Sequence, residues 1–225
     1  MGIINSRSKD IVNNLNEYTF HILGCGAIGS SVAIQLCKMG AEYFYLYDMD
    51  KVEELNIGVS AYNLNDIGQH KTNALLSHLK DNNPLADVRL IKGRFKELMY
   101  QESKDIVILG FDNMKARMQV VDFCVDNKCD VMLIDGRMGA EQYQQYTFPK
   151  LAKNKYLRYW YSDEEGSEDP CNAKATSYCS NMAGSFIANT VRKLVTGQVY
   201  EEKIEFYFPN MGLDTKQKNS KLVSR

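Results

Sequence analysis

Residues 24–29 read Gly-Cys-Gly-Ala-Ile-Gly, and this glycine spacing restricts the fold more than any other stretch of the chain. A G-x-G-x-x-G run works where a strand turns sharply into a helix: one glycine makes the turn, one lets a ligand approach the backbone, and one packs helix on strand. Both flanks comply. Residues 19–24 (TFHILG) are β-branched and aromatic and end in glycine, the pattern of a buried strand. Beyond the loop, Ile28, Val32, Ala33, Leu36 and Met39 recur mostly at three- and four-residue intervals, which predicts a helix over 28–39 stopped by Gly40. Residues 43–47 form a second strand closed by Asp48. The result is a βαβ unit, whose crossover is almost always right-handed and whose strands are parallel neighbours.

The alternation continues. Helices are expected over 68–81 and 115–126, and strands over 87–92, 105–110 and 131–135. This predicts an α/β domain with a doubly wound, Rossmann-like, mostly parallel sheet covered on both faces. After Asp135 the rhythm changes. Residues 141–148 (EQYQQYTF) alternate polar and aromatic side chains, as an antiparallel strand does. Residues 154–170 lack periodicity and read as a mobile loop, 173–195 as a long packed helix, and 203–208 as a final strand, antiparallel like others toward the C-terminus. The expected organisation is an arm over 1–18, one domain over 19–210 and a disordered tail over 211–225.

The chain has 225 residues, enough for one α/β domain with its own core. Its 27 basic and 28 acidic side chains nearly cancel, so no overall field draws it to nucleic acid or to an anionic membrane. No stretch approaches the roughly 20 apolar residues of a membrane span, and residues 1–16 lack the features of a secretory signal. A cytoplasmic protein is expected. Its cysteines (Cys25, Cys37, Cys124, Cys129, Cys171 and Cys179) would then be reduced, and no pair has the C-x-x-C spacing of a structural zinc site.

A glycine loop of this kind, with Asp48 at the end of the second strand, indicates an adenine nucleotide without separating ATP from a dinucleotide. The residues that follow favour ATP. Asp50, Asn56, Lys71, Asp112, Asn113 and Arg117 fall at or beyond the carboxyl ends of strands, where the ligand crevice of an open α/β sheet lies. An amide, an ammonium and a carboxylate there suit phosphates and a metal better than a nicotinamide ring.

The series G-x-G-x-x-G, D-x-D-x-V-x-x-x-N, G-Q-x-K and D-N-x-x-x-R, over about residues 20–195, resembles the ThiF/MoeB/HesA family, which is similar to the adenylation domains of ubiquitin-activating enzymes. The resemblance implies an ATP-dependent adenylyltransferase that activates the C-terminal carboxylate of a ubiquitin-like or sulfur-carrier protein. In it, Gly24, Gly26, Ala27, Ile28 and Gly29 cradle the nucleotide and Asp48 holds the ribose. Asn56 and Lys71 contact the triphosphate, Asp112 binds Mg²⁺, and Asp50 and Asn113 support them. One departure stands out. The family has an arginine where this chain has Val59. The resemblance also implies a homodimer in which the partner's N-terminus contributes an arginine, for which Arg7 is the candidate; a solvated arm residue is the alternative.

Attack of a carboxylate on the α-phosphate needs positioning and charge neutralisation, and it needs no general base. His21, His70 and His78 therefore have no required catalytic role, and His21 in its apolar strand reads as structural. Cys171, between an acidic loop and a helix start that would lower its pKa, is the candidate for thioester transfer; a capping or packing cysteine is the alternative. Arg137 is equally suited to guiding a carrier tail and to a salt bridge. The aromatic run 156–161 (YLRYWY) would expose apolar area for a carrier tail or a dimer contact if mobile. Two other readings stand beside adenylation: a nicotinamide-dependent oxidoreductase, and a nucleotide-binding module that has lost catalysis at Val59.

Overall fold

A computed structural model of the protein describes residues 9–99, 104–164 and 175–218. Strand β1 (Thr19–Leu23), with four of its five residues buried, lies centrally because neither face of TFHIL tolerates water. The turn at Gly24 leads into α1 (Ala27–Lys38), and β2 (Tyr43–Asp48) returns parallel to β1, with Leu23 opposite Tyr47. A four-residue helix α2 (Glu54–Ile57) and then α3 (Lys71–Asn82) carry the chain to β3 (Asp87–Lys92), parallel to β2. The chain then crosses to the other side of β1. There β4 (Asp105–Leu109), buried throughout, α4 (Met114–Asp126) and β5 (Val131–Gly139) complete the parallel part.

From β5 the sheet continues antiparallel through β6 (Gln142–Phe148), β7 (Tyr200–Tyr207) and β8 (Gly212–Lys218), giving the order β3-β2-β1-β4-β5-β6-β7-β8. Between β6 and β7 lie the short α5 (Lys153–Tyr156) and the long α6 (Ser177–Val195). The expected fold class is therefore observed. One face of the sheet packs α1, α3 and α6 into a core built on Phe20, Ile22, Leu36, Phe44, Leu75 and Ile187. The other packs α4 and the chain around Leu98 and Tyr156 against Leu23, Tyr47, Val107 and Leu109.

Three local expectations change. Helix α3 begins at Lys71 instead of 68, because Gly68 has φ 86° and His70 forms a β-bridge with Lys51. The tail expected from 211 contributes β8: the side chains over 212–217 are exposed, but the backbone pairs with β7 from Gly212 to Lys218. The loop expected over 154–170 is anchored in its described part, since Tyr156 is fully buried and the ring of Tyr159 stacks on Tyr146 at 4.5 Å. The aromatic run therefore faces inward at these positions, and Cys171 and residues 165–170 lie outside the described residues.

Helices α1 and α6 meet closely at Gly184, where a β-carbon would lie 2.4 Å from Ser31 Oγ and 3.0 Å from Ser31 Cβ. A Gly184→Val substitution must push the helices apart. It is expected to cost about 1–3 kcal/mol in urea unfolding, as overpacked core sites do.

Candidate active site

The first and third glycines of the loop are there for packing. A β-carbon on Gly29 would sit 1.8 Å from the Gly24 carbonyl oxygen, and one on Gly24, whose φ is 93°, would sit 2.7 Å from Gly110. The loop is thus pressed against the turn that follows β4, and Gly110 N–H donates to Leu23 O at 2.8 Å. Gly26 differs, since a β-carbon there would meet nothing within 4 Å. It stands at the N-cap of α1 with no side-chain cap and with open space beside it, which leaves room for an anion at the helix N-terminus.

Around that space lies a cleft of about 370 Å³ lined by residues from the carboxyl ends of β1, β2, β3 and β4. The glycine loop contributes Gly24 and Gly26, the end of β2 contributes Asp48 and Asp50, and α3 contributes Lys71. The turn after β4 contributes Asp112 and Asn113. Asp48 is almost buried and ties the wall together, accepting from Cys25 N–H at 2.7 Å and Asp50 N–H at 2.8 Å. Burial raises its pKa above the ordinary carboxylate value, an effect that these hydrogen bonds and Lys71 oppose. Each carboxylate oxygen keeps a lone pair for a hydroxyl donor. Lys71 Nζ lies 3.2 Å from Asp50 Oδ2.

Asp112 is exposed in the cleft and accepts from Asn113 Nδ2 at 3.1 Å, while Asn113 Oδ1 caps α4 through Ala116 N–H at 2.7 Å. No cluster of three or more metal-ligating side chains occurs among the described residues. One carboxylate at a phosphate site nonetheless suits Mg²⁺, which is held by one or two carboxylates with substrate phosphates and water.

Some expected site residues lie elsewhere. Asn56 is not among the lining residues; its side chain accepts from Glu53 N–H at 2.9 Å and closes a capping box on α2. Ala27, Ile28 and Gly29 act through helix and packing rather than as lining. Arg7 lies outside the described residues. The cleft also contains residues that the sequence reading missed: Met49, Arg94, Phe95, Phe111, Lys115 and Gln119. Their signal was position, immediately after β2, β3 and β4 and on the first turns of α4.

Beneath the turn after β4 sits a fully buried carboxylate, Asp135. It pairs with the guanidinium groups of Arg117 and Arg137 and accepts from Tyr156 Oη at 2.9 Å. Arg117 also donates to the carbonyls of Leu109 and Phe111. Arg137 donates to Tyr159 O at 2.6 Å and lies against the rings of Tyr146 and Tyr161. Of its two expected roles, Arg137 therefore takes the salt bridge. His21 is structural as expected, between Tyr47 Oη at 3.2 Å and Asp105 Oδ2 at 3.4 Å. The thiols of Cys25, Cys37, Cys124, Cys129 and Cys179 are all pushed up by burial and held protonated at neutral pH.

The sequence matches the ThiF family over residues 3–223. The chain belongs to the ThiF family. Its relatives include the tRNA threonylcarbamoyladenosine dehydratase of Haemophilus influenzae, 26% identical over 215 residues, which cover 93% of this chain and 77% of that protein. Ubiquitin-like modifier-activating enzyme 5 of Caenorhabditis elegans is 29% identical over 138 residues, or 55% of this chain and 32% of that one. Among solved structures, E. coli MccB with ATP superposes with a TM-score of 0.71 at 17% identity, covering 92% of this chain and 65% of MccB. The chain thus spans under two thirds of MccB and about a third of the activating enzyme, and at this identity the likeness to MccB is one of fold.

Two outcomes follow from the buried contacts. Burial alone would raise the Asp135 pKa, but Arg117 and Arg137 outweigh it and hold the carboxyl below its usual range. A depressed folded-state pKa gives stability that is present above the unfolded value and lost as pH falls through the folded one. Asp135→Asn is expected to cost about 3–5 kcal/mol at pH 7 by leaving two buried guanidiniums uncompensated. The gap from wild type should narrow below about pH 4 in denaturant titrations. Gly29→Ala is expected to abolish the loop geometry, read as loss of soluble protein or of nucleotide binding; wild-type stability and binding would contradict the contact at Gly24.

Proposed function

We propose that the protein activates a carboxylate with ATP, forming an acyl-adenylate on the C-terminus of a ubiquitin-like or sulfur-carrier protein. The observation that supports this most is the combination in one cleft of an uncapped helix N-terminus at Gly26 with Asp48, Lys71 and Asp112. In this reading Asp48 accepts from the ribose hydroxyls and the α1 amides and Lys71 receive phosphate oxygens. Asp112 holds Mg²⁺, which supplies charge neutralisation on the phosphates when bound. A carboxylate oxygen attacks the α-phosphorus, the bond to the bridging oxygen breaks, and pyrophosphate departs with that electron pair. The side chains position and neutralise; the attacking group arrives already ionised.

The relatives support this choice of chemistry. By their names, one acts on ubiquitin-like modifiers, and MccB was solved with ATP and with MccA. A second reading follows from the H. influenzae relative, named for a dehydration of threonylcarbamoyladenosine in tRNA. Threonine carries a carboxylate that ATP activation would also serve. The net charge of −1 argues against it, because tRNA binding draws heavily on basic surface. A homodimer with Arg7 reaching the partner's cleft, and transfer of the acyl group to Cys171, complete the proposal.

Pyrophosphate exchange with ATP and Mg²⁺, run with ubiquitin-like carriers and separately with tRNA, tests both readings. Exchange is expected with a carrier bearing a free C-terminus, and Asp112→Asn should slow it by about a hundredfold or more. Cys171→Ala should leave exchange intact and block only adduct formation. Binding of NAD⁺ with no binding of ATP would overturn the adenylation reading in favour of an oxidoreductase.

A further inference from the structure

No residue of α2 lines the cleft, and position 59, where the family resemblance expects an arginine, is a valine. On the α3 side the one ammonium, Lys71, is paired with Asp50. With Asp48 also present, that part of the cleft is poor in positive charge for a ligand carrying several phosphates. The opposite wall is different. Arg94, in the segment after β3, and Lys115, in the first turn of α4, both line the cleft, and neither makes an ion pair with any described residue.

Their placement is fixed by packing. Phe95 is wedged between Tyr47, at 6.1 Å between ring centroids, and Phe123 of α4, in edge contact at 5.6 Å. The segment bearing Arg94 is thereby held to the same helix that carries Lys115. Lys115 sits against its helix dipole, in a first turn that contains no acidic residue of its own. The anion that such a terminus favours is Asp163, whose carboxylate accepts from the backbone N–H groups of Met114 and Lys115 at 2.6 and 3.3 Å. The Lys115 ammonium itself forms no ion pair among the described residues. Two cations without an ion pair among the described residues thus line one wall of a cleft whose other lysine is shared with Asp50, an arrangement suited to a polyanion.

We infer that Arg94 and Lys115 bind the polyphosphate of the nucleotide and provide, from within the same chain, the positive charge that is absent at Val59. The inference rests on the adenylation reading and assigns two binding residues to it. Arg94 suits a bidentate contact to two phosphate oxygens, and Lys115 a point-charge contact.

The test is calorimetric titration of the full chain with a nonhydrolysable ATP analogue plus Mg²⁺, and with adenosine, on wild type, Arg94→Ala, Lys115→Ala and the double variant. Both side chains are exposed, so thermal melting should be unchanged in all four. Each single variant is expected to weaken triphosphate binding by about tenfold, the scale of a charge-assisted contact. Adenosine affinity should stay within about twofold, and the double variant should show a shallower salt dependence. Free tripolyphosphate should compete with the analogue on wild type and much less on the double variant. Equal losses for adenosine and triphosphate, or wild-type triphosphate affinity in the double variant, would overturn the inference while leaving adenylation in place. A wild-type chain that binds no nucleoside triphosphate would overturn both.

Discussion

The contact between the backbone of Gly24 and the backbone of Gly110 sets the geometry on which the rest of the site depends. No side chain separates the turn after β1 from the turn after β4, because a single β-carbon at Gly24 would fall 2.7 Å from its neighbour. The two turns therefore share one floor. Gly29 repeats the constraint one helical turn later by drawing α1 onto the Gly24 carbonyl. With loop, helix and second turn in register, Asp48 needs only to bridge to Cys25 N–H to close the wall. The N-terminus of α1 and the carboxylate of Asp112 then face a common space by topology, with no long side chain placing them there.

A second layer lies under this floor and is electrostatic. One carboxylate, Asp135, serves two guanidiniums and a phenol, so the cluster is overall cationic although it is sealed from water. Arg117 also donates to the carbonyls of Leu109 and Phe111. The network therefore ties the end of β4 and the turn that bears Asp112 to the buried carboxylate, and Tyr156 secures the segment after β6 to the same group.

The parallel half of the fold was legible because its strands are apolar on both faces and its helices follow a 3.6-residue period. TFHIL and DIVIL allow little else. The glycine loop and Asp48 were legible for a related reason: each is demanded by backbone geometry that few residue types satisfy. What was missed lacks such a signature. Strand β8 (GLDTKQK) is held by main-chain pairing at a sheet edge, so its side chains carry no burial pattern. Arg94, Lys115 and Gln119 belong to the cleft only through tertiary placement. Asn56 sits apart for another reason: its amide oxygen caps α2 through the Glu53 backbone, a local contact that its motif position did not signal.

Strand β5 belongs to both halves of the sheet. Val131 to Asp135 pair parallel with β4, and Leu133 to Gly139 pair antiparallel with β6, so Leu133, Ile134 and Asp135 are bonded on both edges at once. The cleft and the β6–β8 ribbon are consequently not two bodies joined by a linker. They share one strand, and the overlap is where that strand is bonded on both sides. Asp135, which closes the overlap, is also the residue held by Arg117, whose other donors reach the carbonyls of Leu109 and Phe111. This pair therefore fastens the antiparallel ribbon and the turn that bears Asp112 to a single point of the sheet.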